Sequence, residues 1–258
     1  MFFIDTHCHI DFDSFDNDRD QVVQKAREKD VHYLINIGCE RLSNQKVLEN
    51  SKRFENVYFS SGIHPSDVDQ SDLTVFDQIE EFASQEKMVA VGEIGLDYFK
   101  YDGDRERQKT YFKKAIQLAA KLEKPIVVHN READQDVAEI LRNELKTRAV
   151  LHCFASTAEF AREMVDLGIF ISFTGIITFK NSTYDDVVKS VPIEQLMLET
   201  DSPFLTPHPF RGKRNDPSYI PLIAEKVASL KNMTIEDVQR KTTENAIRFF
   251  NLPFAIAH

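Results

Sequence analysis

Short apolar segments rich in β-branched residues alternate along the chain with longer segments whose apolar positions recur at helical spacing. This is the pattern of repeated βα units around a parallel sheet. Eight strand-like segments are predicted: Phe2 to Asp5, Val31 to Ile37, Val57 to Gly62, Met88 to Glu93, Pro125 to His129, Ala149 to His152, Ile169 to Phe173 and Gln195 to Thr200. Several are near-continuous apolar runs, as expected of strands buried on both faces. Between Asp104 and Leu122, the residues Tyr111, Phe112, Ala115, Ile116 and Ala119 fall on one helical face, with Asp104 as a cap and Pro125 beyond the end. Thr234 with Asp237 has the form of a capping box opening a last helix through Val238, Ala246 and Phe249. The expected fold class is α/β, a (β/α)8 TIM barrel, which takes about 250 residues. A single domain over residues 1–258 accounts for the chain, because no linker, low-complexity tract or further repeat interrupts the alternation.

Composition narrows the function classes. With 42% hydrophobic and 29% charged residues, the chain resembles an ordinary globular protein rather than a disordered one. No run approaches the roughly 18 apolar residues of a membrane helix, and no basic-then-apolar leader opens the chain, so a cytoplasmic address without membrane contact is expected. Cys8, Cys39 and Cys153 are odd in number and lack CxxC spacing, which points to reduced, mostly buried thiols. A net charge of −10 argues against a broad basic face that wraps nucleic acid. It leaves room for a phosphodiester substrate met locally, since bound divalent cations would supply positive charge at the site itself.

His7 and His9 lie two apart at the end of the first segment, and strand alternation sends both to one side, with Asp5 in the same parity. Glu93, His129, His152 and Asp201 close the fourth, fifth, sixth and eighth segments, and in a β/α barrel the reactive groups come from these strand ends. Six such side chains buried together without a cation would cost several kcal/mol each, so a metal site is expected. Imidazole with carboxylate suits zinc, manganese, iron or nickel, and magnesium less well because it prefers oxygen. Six candidates exceed one tetrahedral ion, so two divalent ions (Mg2+, Mn2+ or Zn2+) sharing a bridging carboxylate, with Glu93 as the bridge, is the better count.

With these residues placed, the sequence resembles the TatD family of metal-dependent deoxyribonucleases within the amidohydrolase superfamily. The segments that carry the resemblance are Asp5-Thr-His-Cys-His9, Gly62-Ile-His-Pro65, Gly92-Glu-Ile-Gly-Leu-Asp-Tyr98, His129 with Arg131, His152-Cys-Phe154, Glu199-Thr-Asp-Ser-Pro203 and Asn245-Ala-Ile-Arg-Phe249. The resemblance implies that His7, His9, Glu93 and Asp201 hold one ion while Glu93, His129 and His152 hold the other. It also implies 3′ to 5′ exonuclease action on single-stranded DNA or DNA ends, with RNA left open as a substrate; no obligate protein partner is evident in the sequence.

Within that frame Asp201 is the expected base for an attacking water, with Glu93 beside it as the second catalytic carboxylate. Glu199 and Asp5 either orient ligand imidazoles or serve structure. His64, Arg131 and Arg211 are the expected substrate-binding residues, with Lys213 and Arg214 either joining them or forming a solvated face. Tyr98 and Phe99 either stack on bases or pack. His32, His208 and His258 fall outside the constellation. Rival readings are a small-molecule amidase or lactonase, an aminoacyl-tRNA esterase, and a scaffold that has lost its chemistry.

Overall fold

A computed structural model describes residues 1–99 and 103–254. In chain order the elements are β1 (Phe3–Cys8), α1 (Arg19–Glu28), β2 (Val31–Ile37), α2 (Arg41–Arg53), β3 (Val57–Ser61), α3 (Val75–Phe82), β4 (Met88–Asp97), α4 (Arg105–Lys121) and β5 (Ile126–Arg131). There follow α5 (Asp134–Glu144), β6 (Ala149–Leu151), α6 (Ala158–Asp166), β7 (Phe170–Phe173), α7 (Asp185–Ser190), β8 (Leu196–Leu198), α8 (Ile220–Lys231) and α9 (Ile235–Phe250). The eight strands form one parallel sheet in sequence order. Beyond β8 the chain turns alongside β1 through a parallel bridge between Cys8 and Ser202, so the sheet nearly closes on itself as a (β/α)8 barrel.

Two apolar layers hold the barrel. Every strand sends at least one side chain to the interior cluster, among them Ile4, Ile35, Val127, Val150 and Met197. Ala246, Phe249 and Phe250 of α9 pack into the same cluster and close the mouth opposite the strand C-termini. The outer cluster joins strands to helices. On α4 the predicted face of Tyr111, Phe112, Ala115, Ile116 and Ala119 is buried there, and full burial of a Phe such as Phe112 stabilises the fold by about 1.5–3 kcal/mol. Asp104 caps that helix by accepting from the N–H groups of Glu106 and Arg107.

Local chemistry sets several boundaries differently from the pattern. At α9, Thr234 Oγ1 accepts from Asp237 N–H at 3.0 Å, but the Asp237 carboxylate takes the Thr234 hydroxyl instead of reaching back to the backbone; half of the expected capping box forms. β1 runs on to Cys8, three residues past its expected end. β4 continues through Asp97, so Glu93 lies inside the strand and not at its end. That continuation depends on glycine: a Cβ on Gly95, whose φ is +152°, would stand 2.0 Å from the carbonyl oxygen of His129 on β5. β6 and β8 stop short, leaving His152 one residue and Asp201 three residues beyond strand. No described helix is long and apolar enough to cross a membrane.

Candidate metal centre

Register breaks aim the ligand residues. Between Asp5 and Cys8, β1 advances three residues while β2 advances two, from Leu34 to Asn36. Between Val91 and Ile94, β4 advances three against two on β5. Each extra residue is a bulge, which turns side chains off simple alternation. The first falls at Thr6 and His7, the second at Gly92 and Glu93. The alternation that grouped Asp5 with His7 and His9 therefore fails for Asp5. Its carboxylate accepts from the N–H groups of His7 (3.2 Å) and Thr200 (3.0 Å) and from the Thr200 hydroxyl (2.5 Å), tying β1 to the segment after β8. Burial pushes its carboxyl up to about 8, against the pull of those three bonds.

The six expected ligands converge. His7 Nε2 lies 3.1 Å from His9 Nε2 and 3.3 Å from Glu93 Oε2, and His9 Nε2 lies 3.3 Å from Asp201 Oδ1. The other oxygen, Glu93 Oε1, lies 2.6 Å from His152 Nε2 and 2.8 Å from His129 Nδ1, which are 3.3 Å from each other. The two oxygens of one buried carboxylate thus face two different nitrogen sets. Donors bound to one tetrahedral cation at about 2.0–2.1 Å stand about 3.4 Å apart, a spacing the contacts of 3.1 and 3.3 Å approach, while those of Glu93 Oε1 at 2.6 and 2.8 Å are hydrogen-bond distances.

At His9 and His129 a hydrogen bond behind the ring fixes which nitrogen is bare. His9 Nδ1 donates to the carbonyl of Ile37 at 3.1 Å, and His129 Nε2 donates to Asp97 Oδ2 at 3.3 Å, leaving the opposite nitrogens free to ligate. Glu199 sits behind His152, with Oε1 at 3.4 Å from Nδ1, and accepts from Cys153 N–H at 2.7 Å. That contact holds Cys153 at a left-handed φ of 44° just where the chain must turn after His152. Glu199 thus fixes the turn after His152 and places negative charge beside its ring, whereas Asp5 serves the backbone.

Burial lowers the basicity of His7. In His9 burial pulls the same way but is outweighed by Cys39 and Asp201; because burial pushes the Cys39 thiol up to about 12, Asp201 supplies the charge at neutral pH. In His152 burial is outweighed by Glu93 and Glu199, and both His9 and His152 are held well above the usual imidazole range. Glu93 is held well below the carboxylate range, its burial outweighed by His152 and His129. A divalent cation would replace these imidazole protons and pair with the carboxylate charges, so uptake releases protons and strengthens as pH rises.

His64 lies three residues past β3 and joins the His129 side, its Nε2 3.3 Å from His129 Nδ1 and 3.6 Å from Glu93 Oε1. Its Nδ1 accepts from Ser66 N–H at 3.1 Å, so the neutral ring carries its proton on Nε2, as a donor facing the cluster. Burial, then His129, lowers its pKa to about 3. Arg131 stands exposed over the Phe99 ring at 4.1 Å, and Arg211 over the Phe179 ring at 3.7 Å. Arg214 separates from this group, bound to Asp18 and to the carbonyl of Ser14. Tyr98 packs, its hydroxyl donating to Asp136 at 2.5 Å, while Phe99 is half exposed. His32 stacks on Phe2 and His208 is exposed on its loop, both outside the cluster, and His258 lies outside the described residues.

Sequence reasoning misses two neighbours of the cluster. Asp97 lies past the expected end of β4, and its one signal is its place in the Gly92–Tyr98 segment. Cys39 ends the second unit at the same mouth, with Sγ 3.8 Å from Glu93 Oε2, where composition alone marks it only as a buried thiol. All three cysteines are free thiols.

A parallel barrel with imidazoles and carboxylates gathered at its strand ends defines the class of metal-dependent hydrolases. The family model for TatD related DNase matches residues 4–251, and the chain belongs to that family. Among its relatives, the uncharacterized metal-dependent hydrolase YabD of Bacillus subtilis is 41% identical over 253 residues, covering 96% of this chain and 98% of that one. The uncharacterized metal-dependent hydrolase YcfH of Escherichia coli K12 is 38% identical, covering 98% and 97%. The crystal structure of YjjV, a TatD homologue from Escherichia coli K12, superposes with a TM-score of 0.92 at 30% identity, covering 97% and 98%.

Proposed function

We propose that the protein is a two-metal phosphodiesterase that removes nucleotides from the ends of single-stranded DNA, in the 3′ to 5′ direction the family resemblance implies. The observation that carries this reading is the division of the Glu93 carboxylate, with Oε2 toward His7 and Oε1 toward His129 and His152. One carboxylate so divided suits a bridge between two cations, with His9 and Asp201 completing the first set. Divalent ions held there would lower the pKa of a water and stabilise charge on phosphoryl oxygens.

The chain's own groups do the rest. Asp201 orients the attacking water and takes its proton as the water oxygen bonds to phosphorus; the bond from phosphorus to the sugar oxygen breaks, and that oxygen takes a proton from solvent as it leaves. His64 offers its Nε2 proton to a phosphoryl oxygen. Arg131 and Arg211 hold flanking phosphates, for which the planar guanidinium is suited. The exposed rings of Phe99 and Phe204 offer stacking faces for unpaired bases. An acidic chain with only local cations at the mouth fits a substrate engaged at its end.

The test is cleavage of end-labelled single-stranded DNA by metal-stripped protein with magnesium, manganese or zinc restored, against a Glu93→Ala control. Stepwise, metal-dependent shortening absent from the control is the expected result. No cleavage by metal-loaded protein would move the substrate to the rival hydrolases, for which misacylated tRNA and small lactones are the probes.

A further inference from the structure

The mouth of the barrel is chemically lopsided. On the side built by the loops after β4 to β8, Arg131 and Arg211 lie over Phe99 and Phe179, and among the described residues no carboxylate pairs with either guanidinium. On the side built after β1 to β3, with Pro203 and Phe204 at the start of the loop after β8, a cleft of about 580 Å³ opens, a size typical of small-molecule sites. It adjoins the ligand cluster through two of its lining residues, Cys39 and Phe12. Cys39 on its floor approaches Glu93, and Phe12 on its wall stacks on the His9 ring at 4.9 Å. Across from Phe12 stands Phe204, 51% exposed, with the two rings edge to face at 6.0 Å.

The charged lining of this cleft is predominantly acidic. Asp11, Asp13, Glu40 and Asp67 face a single cation, Lys46, which is already bound to Asp13 at 2.6 Å. Phosphate entering here would meet carboxylates and no unpaired cation. A nucleobase suits the same walls: it is planar, it stacks on phenyl rings, and its N–H groups donate to carboxylates.

Resting on the nuclease reading above, we propose that this cleft receives the phosphate-free terminal nucleoside of the strand, with its base against Phe12 and Phe204. Arg131 and Arg211 then hold the phosphates on the other side of the scissile bond. A strand continuing through the cleft would drive its next phosphate against Glu40 and Asp67, so cutting is confined to one residue from the end. An added phosphate on the terminal residue is rejected by the same walls.

The experiment uses the metal-loaded full chain and three single-stranded oligothymidylates, whose attacked ends carry a normal hydroxyl-ended residue, an abasic residue, or a terminal phosphate. The wild type cuts the first about tenfold or more faster than either of the others, the scale of one base–aromatic stack. Phe204→Ala erases the preference for the base over the abasic end. Glu40→Gln with Asp67→Asn erases the preference for hydroxyl over phosphate, and Gln retains one of the two side-chain oxygens with which Glu40 caps α2. Each readout is a ratio within one variant, so a loss of overall activity does not blur it. A wild type that cuts all three alike, or variants that keep both preferences, would overturn the cleft assignment and leave the nuclease standing. Failure to cut any of them, with metal bound, would overturn the nuclease reading and the cleft assignment together.

Discussion

The backbone N–H of Asp201 donates to the carbonyl oxygen of His7 at 2.9 Å, and this bond brings a ligand from the last βα unit to the ligands of the first. The chain is held there again by His9 N–H donating to the carbonyl of Ser202 at 2.8 Å. Closure of the barrel and assembly of the site are thus one event. Because both bonds are main-chain, the Asp201 side chain can be changed without opening the seam.

Asp201→Asn should therefore keep the fold and lose turnover. Removing a positioned base costs about 10²–10⁴-fold in rate. The expected outcome is a cooperative melting transition in chelator-treated protein, as for a folded barrel, with kcat reduced by at least a hundredfold on single-stranded DNA. Near-normal kcat would remove Asp201 from the base role.

Asp97 acts through His129, by accepting the Nε2 proton and leaving Nδ1 bare toward Glu93. Loss of such a partner lowers metal affinity by about 10–100-fold. Asp97→Asn should weaken one of the two steps of a zinc or manganese titration by that factor and leave the other step in place. A titration identical to wild type would contradict the role.

Much of this site is legible in the sequence. His7, His9, His129, His152 and Asp201 stand where apolar runs end, and strand ends are where a barrel exposes reactive groups. Asp97 is hidden because two glycines carry β4 past the point where the apolar pattern fades; their value is close approach to β5, which a hydrophobic pattern does not register. Asp5 escapes for a related reason, since a bulge in β1 breaks the alternation on which its parity rests. The closing of β8 onto β1 leaves no local signal either, because it depends on pairing between residues nearly two hundred positions apart.

Asp5 gives a pH signature. Its carboxyl is raised by burial to about 8 from an ordinary 3.8, so between those values the folded protein holds a proton that the unfolded chain has lost. The stability this contributes is complete below the unfolded value and is lost as pH rises toward about 8. In Asp5→Asn the amide oxygen can keep both N–H bonds and no group titrates. Chelator-treated wild type should lose several kcal/mol more than the variant between about pH 4 and pH 8, measured by urea unfolding. Parallel pH profiles would show that Asp5 is ionised in the folded state.

Stacking of Arg131 on Phe99 and of Arg211 on Phe179 predicts a binding effect and not a chemical one. Arg131→Ala and Arg211→Ala should each raise KM for single-stranded DNA and flatten its salt dependence, with kcat changed by less than about threefold, since phosphate contacts carry the salt-dependent part of affinity. A fall in kcat at constant KM would place these arginines at the reacting phosphate instead.

The most direct test of the account is the number of metal ions per chain, measured by inductively coupled plasma mass spectrometry on dialysed wild type and on Glu93→Gln. If the Glu93 carboxylate joins two nitrogen sets, the wild type holds two divalent ions and the variant loses at least one of them. A single ion in the wild type, or two ions in both proteins, would contradict the bridge.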